Sequence, residues 1–211
     1  MENTTMENTR TKTTRNSLIL LLTAAIWGMA FVSQSKGMDY MHPFTFNGVR
    51  SLIGAASILV YILISRKIAG DKAAPLDWKL NVKAGLLCGI FLTIASTLQQ
   101  FGIKYTSVGK AGFITTLYII FVPMFGIFLK KKVAPVVWAA AVMAAVGMYL
   151  LCMTESLRLG AGDIMVFLCA IAFAIQIMTV DHYAARIDGA VVSCIQFTVC
   201  GVVCCIGALI W

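Results

Sequence analysis

Residues 99–132 read QQFGIKYTSVGKAGFITTLYIIFVPMFGIFLKKK, and the reading of this stretch decides the fold. It begins with an amide pair, Gln99 and Gln100, crosses a short glycine-bearing turn, and enters a span whose polar side chains are Thr115, Thr116 and Tyr118. The triplet Lys130 to Lys132 stops it. Crossing the hydrocarbon of a bilayer takes about 20 mostly apolar residues, because every backbone group must be satisfied inside the helix. The stretch therefore reads as the end of one membrane helix, a turn and a complete second helix. Pro123 sits within that second helix, where a missing N–H and a ring clash with the preceding turn predict a kink.

Outward from this hairpin the same pattern recurs. Of 211 residues, 60% are hydrophobic and 12% charged, and the mean hydropathy is +0.88. A soluble domain carries about twice that share of charge. Seven runs are long and apolar enough to span: Ser17 to Ser33, Phe44 to Ser65, Ala84 to Ile103, Ala111 to Leu129, Val136 to Met153, Ile164 to Val180 and Ala190 to Trp211. Short connections holding Gly, Pro or Asp, such as Asp39 to Pro43 and Gly160 to Asp163, make neighbours antiparallel. The expected fold class is all-α, a polytopic bundle of about seven transmembrane helices. Of the 17 Lys and Arg residues, Lys36, Arg50, Lys104, Lys110 and Arg158 fall on one side and the rest on the other. Since basic residues concentrate on the cytoplasmic side, the N-terminus is expected inside and Trp211 outside.

Other classes are excluded by what the residues lack. The net charge of +8 would suggest nucleic acid in a soluble protein, but the basic residues cluster between apolar runs and form no face with interleaved aromatics. SVGK, Ser107 to Lys110, lacks the first glycine of a phosphate loop, since residue 104 is Lys, and Ala111 stands where Ser or Thr is required. The seven cysteines show no C-x-x-C; Cys200, Cys204 and Cys205 share a helical spacing but have no other ligand type beside them and read as packing residues. No cofactor and no metal are expected, and no hydrolase, metalloprotease or clustered-carboxylate motif suggests an enzyme. Residues 1–16, which repeat MENT, cannot bury an apolar face and are expected to be a disordered cytoplasmic tail.

A constant offset of 146 residues lays LCAIAFAIQI on LTAAIWGMAF without a gap. Trp27 then meets Phe173, Gly28 meets Ala174 and Arg50 meets Gln196, across spans of opposite sense, as an inverted repeat requires. Arg50 stands out because a guanidinium inside a span must face protein or water. Gln99 and Gln100 cannot share one helix face, so one lines a pathway while the other joins helices. Gly85, Gly89, Thr93 and Thr97 form a small-residue stripe suited to close helix packing. No carboxylate falls at mid-span; Asp163, opening the sixth span, reads as a helix cap.

In these residues the chain resembles the drug/metabolite transporter superfamily, specifically its EamA-type permeases. The resemblance rests on Trp27 with Gly28, on Pro43 followed by Arg50, on Leu98 to Phe128 with the basic turn after it, and on Gly162 with Asp163. It implies ten helices in two inverted five-helix repeats around a central pathway. Residues 17–153 would be the first repeat and 154–211 an incomplete second one of two helices. The chain is therefore expected to be a fragment, or a half that another copy completes as a homodimer. The function so implied is alternating-access transport of a small metabolite or drug-like molecule across the inner membrane, with the bilayer and the solute as partners and no nucleic acid. The alternative is a non-transporting membrane protein. The pathway is assigned to Trp27, Arg50, Gln99, Thr115, Tyr118, Gln176 and Gln196, with the helix kink at Pro123.

Overall fold

The computed structural model describes residues 2–70, 76–129, 133–152 and 160–211. The lysine triplet Lys130 to Lys132 and Arg158 lie outside them. Among the described residues the chain forms α1 (Glu2–Gly37), α2 (Pro43–Ala69), α3 (Trp78–Tyr105), α4 (Val108–Thr116), α5 (Tyr118–Phe128), α6 (Pro135–Cys152), α7 (Ala161–Tyr183) and α8 (Gly189–Ile210), with a 3-10 turn at Ala184–Arg186. Six spans are long and apolar enough to cross a membrane, α4 and α5 together making one of them; the apolar part of α6, Pro135–Gly147, is shorter. The protein is a polytopic helical membrane protein. In α1 the span proper is Asn16–Gly37, yet the helix begins at Glu2. The tail expected to lack structure is thus helical here, because extending an established helix costs far less than starting one.

The helices alternate up and down. The α1–α2 and α3–α4 connections and the start of α7 share one end, where the His42 ring stacks on Trp211 and meets Phe101 edge-on and Asp163 meets Lys110. Arg66, Asn81 and Asp188 meet at the other end. By the distribution of basic residues, the first end is the expected outer one. α1 ends at this first end and α7 begins there, so the two run in opposite senses.

α3 is the centre. It contributes Ala84 and Cys88, Ala95, and Ile103 to three successive small core clusters, whose other members come from α7, α8 and α4. α8 lies between α2 and α3, and α7 packs on α3, α4 and α5. In lipid no hydrophobic force draws helices together, so association depends on close packing, which small residues permit. The stripe on α3 is used in this way. A β-carbon at Gly85 would stand 2.7 Å from Ile195, one at Gly89 2.8 Å from Val199, and Thr97 Oγ1 lies 3.7 Å from Cys204 Sγ. Where α3 meets α7 the contact is backbone on backbone: a β-carbon at Gly162 would sit 2.8 Å from Gly102 O and 3.0 Å from Thr106 N.

The fourth span is broken at Leu117, between α4 and α5, and Pro123 lies inside α5. Leu117 N–H bonds to Ile114 O at 3.2 Å and Leu117 O accepts from Ile120 N at 2.9 Å. These are i to i+3 bonds, so the chain tightens there into a 3-10 turn.

Replacing Gly162 with Val should force α3 and α7 apart and cost about 1–3 kcal/mol, the usual penalty of overpacking. Gly112→Ala, where nothing lies within 4 Å of the added carbon, should cost nothing measurable. Unfolding of the two variants in a denaturing-detergent titration checks the difference; equal midpoints would show that the backbone crossing is not tight.

Candidate functional site

Membrane-embedded polar groups locate the candidate site, because each needs a partner in a medium that supplies none. Two pairs are formed by residues singled out from the sequence. Gln99 Nε2 donates to Thr115 Oγ1 at 3.2 Å, joining α3 to α4. Gln176 Nε2 donates to Gln196 Oε1 at 3.0 Å, joining α7 to α8. Each bond closes a helical hairpin with an amide. Gln99 and Thr115 are fully buried, whereas Gln176 and Gln196 are half-buried. Thr116 instead donates to its own helix at Gly112 O, 2.7 Å away, the ordinary behaviour of a helical threonine.

The remaining candidates stand apart. Arg50 is exposed on this chain; its guanidinium donates to Asn47 Oδ1 at 3.0 Å and lies over the Phe46 ring. Trp27 is 52% exposed on α1 and is not brought to the others. Tyr118 and Pro123 line an open groove of about 530 Å³ between α5, α6 and α7, together with Val137, Ile177 and Asp181.

Sequence reading missed Asn47, which is completely buried. Its Nδ2 donates to Ser96 O at 2.9 Å while its Oδ1 takes the Arg50 bond, so it couples Arg50 to α3. The signal was present: an asparagine in an otherwise apolar run. Asn81 was missed in the same way; Asn81 Oδ1 accepts from Asp188 N at 2.8 Å.

Two aspartates tie the α7–α8 hairpin to the preceding helices. At the end that holds His42, Asp163, 3% exposed, accepts from Gly160 N and lies 2.9 Å from Lys110 Nζ; it also accepts from Thr106 Oγ1. The cap is real, and an ion pair to the α3–α4 turn is added to it. At the opposite end Asp188 caps α8 through Ala190 N and Val191 N, with Arg66 at 3.6 Å. That second pair is more than a third exposed and contributes little.

Cys200 and Cys204 are buried among hydroxyls, Cys200 Sγ lying 3.4 Å from both Ser51 Oγ and Ser96 Oγ. The thiols therefore serve as compact, weakly polar fillers where α8 enters between α2 and α3.

Apolar spanning helices, small-residue crossings and paired amides inside the bundle define a polytopic helical membrane protein. The profile of the EamA-like transporter family matches residues 15–153, and the chain belongs to that family. It is similar to an uncharacterized transporter of Archaeoglobus fulgidus, with 31% identity over 171 residues that cover 78% of this chain and 48% of the relative. The chain thus spans about half the length of that relative. No solved structure matches it.

Removing one partner of a buried ion pair leaves an uncompensated charge. Lys110→Met should cost about 3 kcal/mol, and adding Asp163→Asn to it should restore part of the loss. A double-mutant cycle on unfolding midpoints measures this; strictly additive losses would show that the two charges do not interact.

Proposed function

We propose that this chain forms part of a permeation pathway for a small metabolite or drug-like molecule, working by alternating access in a cell's inner membrane with its N-terminus cytoplasmic. The observation that carries the reading is Arg50. It lies seven residues beyond Pro43 within an apolar span, is exposed on this chain, and is oriented by the buried Asn47. A guanidinium at that depth is stable only where water or protein faces it, and a hydrated pathway meets that need.

In this reading Arg50, Gln99, Thr115, Tyr118, Gln176 and Gln196 supply polar groups along the route, with Trp27 on its apolar wall. The groove beside Tyr118 and Pro123 supports a solute-sized opening towards the inner end. α7 and α8 open a second, inverted repeat after the first one in residues 17–153; their sense relative to α1 and the gap-free offset support that assignment. Further helices, in a longer chain or a second copy, close the route. The bilayer and the solute are the expected partners, and nucleic acid is not.

Uptake and efflux by the full chain in proteoliposomes, over a panel of amino acids, nucleosides and cationic drugs, tests the reading. Arg50→Gln should lower the transport rate at least tenfold with expression intact, and Arg50→Lys should recover part of it. A rate unchanged in Arg50→Gln would sink the assignment of Arg50, and no flux of any solute would sink the transporter reading for this chain.

A further inference from the structure

Gln34 and Gln100 meet at the outer end of the bundle, away from the amide pairs described above. Gln100 is completely buried and Gln34 is 6% exposed. Gln100 Nε2 donates to the main-chain oxygen of Gln34 at 3.4 Å. Because a carbonyl oxygen can only accept, this bond settles which way the Gln100 amide is turned. Its Oε1 is then a buried acceptor without a partner among the described residues, and so is Gln34 Oε1. A buried acceptor left unanswered is destabilising, and the same helix end carries two.

Only a proton-bearing or positively charged group can answer a carbonyl oxygen. Two further features favour positive charge. Gln34 lies in the last turn of α1, where the helix dipole presents its negative end. The nearest basic side chains along the sequence, Lys36 and Lys104, are exposed and screened by salt. At the same end His42 Nδ1 is also buried without a partner, its ring held against Phe44, Phe101 and Trp211. The surroundings are therefore partly dry, which strengthens any electrostatic contact made there.

We propose that the unanswered carboxamide oxygens of Gln34 and Gln100 make this end of the bundle a binding site for a small cation or an ammonium group. Neutral oxygen ligands of this kind suit hard cations, and an ammonium finds the same two acceptors. The inference does not depend on transport, because the site binds whether or not the chain moves a solute.

Thermal unfolding of the full chain in detergent tests it, with sodium chloride or methylammonium chloride replacing tetramethylammonium chloride at constant ionic strength. Tetramethylammonium carries the charge but has no N–H, and its methyl groups keep the charge away from a buried oxygen. The expected result is a saturable rise of a few degrees in the midpoint that is lost in Gln100→Leu and in Gln34→Met. A rise in sodium alone identifies an inorganic cation, and a rise in methylammonium alone identifies an ammonium-bearing solute. Equal wild-type midpoints in all three salts would overturn the proposal whatever the variants do, and so would an undiminished rise in either variant.

Discussion

The close approach of α7 and α8 to α3 is the constraint on which the rest of the structure depends. Lipid tails are as apolar as the side chains they touch, so burying leucine on leucine gains little, and the helices cohere only where their backbones come near. Gly85, Gly89, Gly102 and Gly162 allow that approach. With Gly102 against Gly162, the first turn of α7 sits on the last turn of α3. This seats Asp163 where it can meet Thr106 and Lys110. The ion pair is thus a consequence of the glycine crossing and not its cause.

The same crossing organises the polar groups. Several polar side chains on α3 and the helices around it are answered locally: Gln99 by Thr115, Gln176 by Gln196, Ser96 by Cys200 and, through its carbonyl, by Asn47. Pairs inside a membrane tie hairpins together. The Arg50 guanidinium beyond its bond to Asn47, and the carboxamide oxygens of Gln34 and Gln100, which have no partner among the described residues, are the places where we propose that the bundle recognises something outside itself.

Much of the fold was legible in the sequence, because length and apolarity alone dictate a spanning helix. The runs fall mostly on helices, although the fourth is split at Leu117 and the apolar part of α6 is shorter than the others, and the stripe of Gly85, Gly89, Thr93 and Thr97 does receive α8. The candidate site was less legible. Thr115 and Thr116 are adjacent and chemically identical, yet one accepts from Gln99 while the other bonds its own helix; which does which follows from the direction each faces relative to α3. Pro123 marks the fourth span as irregular, but the break falls at Leu117, because a helix relieves strain where its hydrogen bonds can tighten.

By itself the sequence determined that the chain is a membrane protein built from apolar helices, their alternating sense and its likeness to EamA-type permeases. These are properties of composition and local spacing, which each segment carries alone. The tertiary structure alone decided that α3 is central, that Asn47 couples Arg50 to it, that Asp163 joins Lys110 across 53 residues of chain, and that Gln34 meets Gln100. Such pairings depend on how far apart the helices pack and how each is rotated about its axis, and glycines distant in sequence set both.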